Sequence, residues 1–295
     1  MAELTLEEVR ERTERALDET LRSPDKDCDK LYEAMRYSAL GGGKRVRAFL
    51  LHAFFRACGG ADGKKADPYA AAVEMVHAAS LIHDDLPAMD DDDMRRGKPS
   101  NHKAFGEAQA IIAGDGLFIQ AFRVAAENPY CTPGQNARAC ALLAKAAGPD
   151  GMCGGQMIDI ETEGGRIDKD LLRKLDILKT SRLIEAACAL GCIAADSDEK
   201  HISAAVSYAR GLGLAFQIRD DILDIEGDTA KLGKTAGKDA AAEKNTYPAL
   251  LGLGGAKKAC AEETENAIKA LEPLGQNEYT KLLKAFASAL TQRES

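Results

Sequence analysis

Apolar residues recur at three- and four-residue spacing along nearly the whole chain, and that period predicts helix throughout. Thr5-Leu6-Glu7-Glu8 has capping-box spacing ahead of a run to about residue 21, and Gly41 closes a second run over about 29–40. Further helices are expected over about 45–57, 67–83, 105–126, 133–147, 168–195 and 198–225, with three shorter ones after Asn245. No alternating pattern suggests a strand. The Gly- and Pro-containing gaps are short, and no linker or internal repeat divides the chain. It therefore reads as one all-α domain, residues 1–295, with a site between facing helices. The two most polar gaps, 87–103 and 226–245, are expected at the same end as functional loops.

Composition narrows the possibilities. With 295 residues and 45% hydrophobic content, the chain can bury one large core or two smaller ones. A net charge of -8 argues against nucleic acid as a partner, because such binding normally shows a basic stripe. The first ten residues are acidic and lack the basic flank and apolar run of a targeting segment. No apolar run approaches the roughly 18 residues that span a bilayer, so a cytoplasmic protein with no membrane span is expected. The eight cysteines are scattered without a C-x-x-C pair, the nearest in sequence being Cys188 and Cys192. They read as free thiols in a reducing compartment.

Two aspartate clusters carry the chemistry. One runs His83-Asp84-Asp85-Leu86-Pro87-Ala88-Met89-Asp90 and on to Asp93; the other is Gln217-Ile218-Arg219-Asp220-Asp221-Ile222-Leu223-Asp224. Carboxylates this close repel one another unless a cation neutralises them, which implies a shared metal site. Oxygen-only ligands suit a hard ion such as Mg²⁺, which usually also meets a phosphate or diphosphate. Asp220 and Asp224 are four apart and share a helix face. Pro87 should end the first helix and swing Asp90 back toward Asp84. Asp91 to Asp93 also fit a solvated acidic loop.

Basic residues accompany these clusters. Gly41-Gly42-Gly43-Lys44-Arg45-Val46-Arg47 is a glycine turn entering a helix, without the frame of a nucleotide P-loop. Its helix N-terminus favours an anion, with Lys44 and Arg47 three apart on one face. Arg95-Arg96-Gly97-Lys98 follows the first acidic run and offers planar bidentate donors suited to a diphosphate. Lys179-Thr180, Lys234 and Lys244 are unremarkable singly.

In order along the chain, these residues resemble the trans-isoprenyl diphosphate synthases, the farnesyl and geranylgeranyl diphosphate synthases. The resemblance rests on Gly42 to Arg47, Glu74 to His77, the D-D-x4-D motif at 84–90 with Arg95-Arg96-Gly97, and Gly154-Gly155-Gln156. It continues through Lys179-Thr180, Gln217 to Asp224, Gly227-Asp228-Thr229, Leu232-Gly233-Lys234 and Lys244. The four-residue spacer between Asp85 and Asp90 is similar to that of the bacterial farnesyl and plant-type geranylgeranyl enzymes. The resemblance implies the helical bundle of the isoprenoid synthases and a homodimer. It implies that Asp84, Asp90, Asp220 and Asp224 hold Mg²⁺, with Asp85 and Asp221 contributing through water or neighbouring contacts. Arg95, Lys179, Thr180, Gln217, Lys234 and Lys244 are implied to surround the allylic diphosphate. Lys44, Arg47, His77 and Arg96 are implied to hold isopentenyl diphosphate. One departure is the tail, where only Arg293 could serve as a closing basic residue.

In that family a bulky aromatic five residues before the motif is associated with stopping at fifteen carbons. Here that position is Ala79, with Ser80 beside it, so both are expected to line the product pocket and geranylgeranyl diphosphate is the expected main product. Farnesyl diphosphate is the alternative. Readings from other classes are an HD-type metal phosphohydrolase, suggested by His83-Asp84, and a di-iron bundle, suggested by Glu74-x-x-His77. A terpene cyclase would usually carry Asn or Ser in its second metal motif. A non-catalytic synthase subunit is disfavoured by the two intact aspartate motifs.

Overall fold

The computed structural model describes residues 4–226 and 245–292. Among the described residues the chain is almost wholly helical: α1 Leu6–Thr20, α2 Asp29–Ala39, α3 Val46–Ala57, α4 Asp67–Asp84, α5 Asn101–Phe105, α6 Glu107–Ala126 and α7 Pro133–Ala147. α8 Met152–Glu161, α9 Lys169–Asp176, α10 Arg182–Ala194, α11 Glu199–Glu226, α12 Tyr247–Ala270 and α13 Glu278–Gln292 follow. The all-α expectation holds.

The hydrophobic pattern explains the layering. Every residue of α10 from Leu183 to Ala194 is buried, as expected of a helix apolar on all sides. α3 packs against it with Leu51, Phe54 and Phe55 fully or nearly fully buried, each contributing about 1.5–3 kcal/mol by leaving water. α4 packs closely on α6 because their facing positions are small, among them Ala79, Ala113 and Gly114. A Cβ at Gly114 would lie 2.2 Å from the His83 Nε2, so any side chain there would force the His83 ring to shift. A second, smaller core of Leu172, Ala215, Ile218, Ile222, Tyr247 and Cys260 joins α9, α11 and α12.

Three details differ from the sequence expectation. The helix expected over 105–126 is broken at Gly106, whose φ of 102° separates α5 from α6. The helix expected over 168–195 is divided by a π-helical turn, Ile177–Ser181. α8 was not expected, because its glycine-rich start, Gly151 to Gly155, reads as a turn. The three helices expected after Asn245 are present: the non-helical Gly252 (φ 68°, ψ 161°) divides α12 into two, and α13 follows a 3-10 turn, Glu272–Leu274.

A two-stranded hairpin is also present where no strand was expected: β1 Met94–Arg95 pairs antiparallel with β2 Lys98–Pro99. It is too short to show alternation. Its turn residues, Arg96 and Gly97, both have positive φ, as a type I′ connection requires.

Candidate active site

α4 stops where Pro87 predicts. Asp85 caps the helix, and the Asp90 N–H donates to the Asp84 carbonyl at 2.9 Å, folding the chain back so that both ends of the first motif share one end of α4. On α11, Gln217, Asp220, Asp221 and Asp224 fall within about 100° of one another, which makes them one face.

Between these elements lies a cavity of about 220 Å³. Asp90 lines it from the first motif, Gln217 and Asp221 from α11, and Gln156 and Asp159 from α8, together with Glu163, Asp176 and Lys179. Five carboxylates thus face one lysine among the described lining residues. Burial, reinforced by Asp90 and Asp85 and opposed by Lys179 and Arg95, pushes the Asp84 carboxyl up to about 6. Burial, with the neighbouring Asp221 charge, lifts the Asp176 carboxyl well above the usual range. Among the described lining residues, an excess of carboxylate oxygens without sulfur ligands fits a hard dication.

The π turn presents Lys179 and Thr180. Lys179 pairs with Asp159, and the Asp159, Asp84 and Asp90 charges raise its pKa against the opposing effect of burial. Such turns widen a helix and recur at functional positions. α8 lies so close that a Cβ at Gly155 would stand 2.3 Å from the Lys179 backbone nitrogen. Asp221 is anchored by accepting the Tyr247 N–H at 2.9 Å. Asp224 is buried and Asp220 half-buried, and neither borders the 220 Å³ cavity.

Arg95 is committed to the buried Asp85, donating from Nε at 3.0 Å and also from its terminal nitrogen, and it reaches Asp92 at 3.4 Å. Its guanidinium is thus engaged by Asp85 and Asp92. The hairpin turn carries Arg96 back over the glycine loop, where it donates to the Gly42 carbonyl. Gly43 makes room for it, since a Cβ there would lie 3.0 Å from the guanidinium, and both Gly42 and Gly43 have positive φ, 89° and 128°.

Arg96, Arg47 and His77 gather at the start of α3 beside α4. Burial and these arginines hold the His77 imidazole well below its usual pKa, so it is neutral. Burial likewise lowers the Arg47 guanidinium, opposed by Glu74. Lys44 departs from expectation: it precedes α3, separated by the left-handed Arg45 (φ 48°), and is exposed, so it shares no helix face with Arg47. Arg45 is itself buried, bonded to the Ala39 carbonyl at 2.6 Å and to Glu74 at 3.3 Å. That pairing occupies Glu74 and leaves the di-iron reading without its ligand. His83 faces the Ile111 carbonyl at 3.2 Å and Phe118, away from the carboxylate cavity, which disfavours the phosphohydrolase reading.

Ala79 is fully buried and Ser80 half-buried, with its hydroxyl on the His77 carbonyl at 2.9 Å. Five residues turn a helix by about 140°, so Ser80 shares the face of Asp84 more nearly than Ala79 does. Lys234, Lys244 and Arg293 lie outside the described residues. Asp91, Asp93 and His102 bring ligand atoms within 4.8 Å of one another, but Lys103 already pairs with Asp93 at 2.7 Å. Sequence reasoning missed Asp159 and Asp176. Gln156-x-x-Asp159 spacing would have shown the first, had α8 been recognised as a helix; Asp176 carries no local signal.

Three comparisons bear on this arrangement. The polyprenyl synthetase family model matches residues 28–286. The chain is similar to farnesyl diphosphate synthase of Escherichia coli (strain K12), 46% identical over 265 residues, covering 88% of each chain. It is also similar to the chloroplastic geranylgeranyl pyrophosphate synthase of Capsicum annuum, 42% identical over 283 residues, covering 95% of this chain and 76% of that one. The solved geranylgeranyl pyrophosphate synthetase of Pyrococcus horikoshii Ot3 superposes with a TM-score of 0.90 at 31% identity, covering 98% of this chain and 97% of that one. With the family model spanning most of its length, this chain belongs to the polyprenyl synthetase family.

Proposed function

We propose that the protein is a Mg²⁺-dependent trans-prenyltransferase that condenses isopentenyl diphosphate head-to-tail with dimethylallyl, geranyl or farnesyl diphosphate, releases pyrophosphate, and makes chiefly geranylgeranyl diphosphate. The observation that carries the reading is one helix serving two opposite electrostatic environments. His77 and Asp84 are seven residues apart on one face of α4, about 10 Å along its axis. The Arg47–Arg96–His77 cluster lies toward the first, and the second ends the helix where the chain folds back to bring Asp90 to the carboxylate cavity.

We assign Asp84, Asp90, Asp220 and Asp224 to Mg²⁺, which when bound stabilises the charge on departing pyrophosphate. Lys179, Thr180 and Gln217 surround the allylic diphosphate, and Arg95 orients Asp85 beside it. Lys234 and Lys244 are assigned to the same substrate. Arg47, Arg96 and His77, with Lys44 at the rim, hold isopentenyl diphosphate so that its double bond meets the allylic cation without a bimolecular encounter. The proton then lost passes to pyrophosphate. Apolar helix faces around α4 exclude the water that would divert the cation to alcohol.

The small, buried Ala79 supports a deep product pocket, with Ser80 beside it. Farnesyl diphosphate is the second reading, favoured by the 46% identity to the E. coli enzyme of that name. Ile111, Ile112 and Ile119 are exposed along α6, which supports a homodimer formed through that helix. Eight free thiols support a cytoplasmic location. No described helix is long and apolar enough to cross a membrane.

The test is to incubate the protein with labelled isopentenyl diphosphate, each allylic starter and Mg²⁺, and to size the products. Geranylgeranyl diphosphate is expected, and Ala79→Tyr should shift it toward farnesyl diphosphate. No prenyl transfer from any starter would refute the activity. Farnesyl diphosphate from the wild type would refute only the product.

A further inference from the structure

Cys58 caps the C-terminal end of α3, and Cys192 lies in the last turn of α10. Though 134 positions apart in sequence, their sulfurs stand 3.5 Å from one another. Cys192 is fully buried and Cys58 half-buried, so one thiol of the pair is open to a small reagent and the other is held behind it. None of the residues assigned to prenyl transfer takes part. Cys58 is eleven residues beyond Arg47 on the same helix, about 16 Å along its axis, and Cys192 is a similar distance beyond Thr180. The pair therefore ties together the far ends of the two helices whose near ends carry substrate-binding residues.

We propose that Cys58 and Cys192 form an oxidisable dithiol, with Cys58 as the thiolate attacked first and Cys192 as the thiol that resolves it into an intramolecular disulfide joining α3 to α10. Local chemistry supports the order. The neighbouring Cys192 thiol, aided by Ser197 and His201, brings the Cys58 thiol down to about 7 against the effect of burial and Asp198. The same contact and burial push Cys192 up, so it keeps its proton. With a hydroperoxide as oxidant, the Cys58 thiolate forms an S–O bond as the O–O bond breaks, and the departing hydroxide takes a proton to become water. The Cys192 sulfur then attacks the Cys58 sulfenic acid: the S–S bond forms, the S–O bond breaks, and water leaves with the Cys192 proton. Two sulfurs together lose two electrons, and the peroxide gains them. Joining sulfurs already 3.5 Å apart requires them to close by roughly 1.5 Å.

One equivalent of hydrogen peroxide on the full-length protein, then alkylation and non-reducing peptide mapping, tests this. A Cys58–Cys192 linked peptide 2 Da lighter than its two parts is expected, lost on treatment with dithiothreitol. Cys131 and Cys140, also half-buried, should remain alkylatable, since burial raises both thiols. In Cys192→Ser, the reaction should stop at a dimedone-reactive sulfenic acid on Cys58. The oxidised wild type should melt higher than the reduced form, because the bond closes a long loop in the unfolded chain. Cys58 left unmodified in both proteins, bridged to any other cysteine while circular dichroism remains native, or bridged to Cys192 with a lowered melting temperature, would overturn the proposal.

Discussion

Asp84 is where stability and function oppose each other. Its carboxyl, raised to about 6, keeps a proton in the fold at pH values where the unfolded chain, near 3.9, has lost it. The stability tied to the protonated form is full below about pH 4 and is lost as pH rises through about 6. Asp84→Asn should therefore melt higher than wild type in EDTA at pH 7, by at most about 3 kcal/mol before solvent access reduces the gain. The same variant should lose more than about 100-fold in kcat, and steady-state kinetics beside calorimetry checks both outcomes. Mg²⁺ affinity, followed by titration calorimetry, should rise with pH to about 6 and flatten above, because the ion needs Asp84 ionised. At the other cluster the two site residues differ in weight. Arg47 offers a charged donor and His77 a neutral one, so Arg47→Ala should weaken isopentenyl diphosphate binding roughly 10- to 100-fold and His77→Ala only about 2- to 10-fold. Equal losses in a direct binding assay would show that His77 is charged in the complex.

At the scale of elements, the π turn at Ile177–Ser181 and the backbone of α8 form one unit. Gly155→Ala adds a methyl group 2.3 Å from the Lys179 nitrogen, which must displace the turn carrying Lys179 and Thr180. At least a tenfold fall in kcat of the folded protein is expected, together with a lowered melting temperature, because the methyl meets backbone. Gly191→Ala is the counterpart in the core, where the added methyl would meet the Leu51 carbonyl at 2.2 Å. It should lower the melting temperature sharply, by about 1–3 kcal/mol of overpacking strain, while surviving folded protein keeps its kinetics. Thermal melts and kinetics on the pair separate a displaced site from a damaged scaffold. Helix identities were legible because the 3.6-residue period is written into long stretches such as α4 and α11. The breaks at Gly106 and Ile177 were less so: a glycine or a π turn inside a periodic run does not alter the pattern of apolar residues.

Across the whole molecule, α6 shows how far a face can remain without a partner inside one chain. Ile112 and Ile119 are seven apart on one side of that helix and are 55% and 71% exposed. Ile112→Asp with Ile119→Asp should convert a dimer to monomer in sedimentation velocity, with helix content unchanged by circular dichroism. A wild type already monomeric at micromolar concentration would remove α6 as an interface. The sequence by itself determined the helical class and the two aspartate motifs with their oxygen-only chemistry, because periodicity and ligand type are properties of short segments. It also pointed to Arg47, Arg96 and His77 through the family resemblance. Only the tertiary structure decided that Asp159 and Asp176 join Asp90 and Asp221 around one cavity, that Asp85 engages Arg95, that Lys44 is exposed ahead of α3, and that Cys58 meets Cys192. Those pairings join residues remote in sequence, and the close helix approaches permitted by Gly114, Gly155 and Gly191 contribute distances that no local pattern encodes.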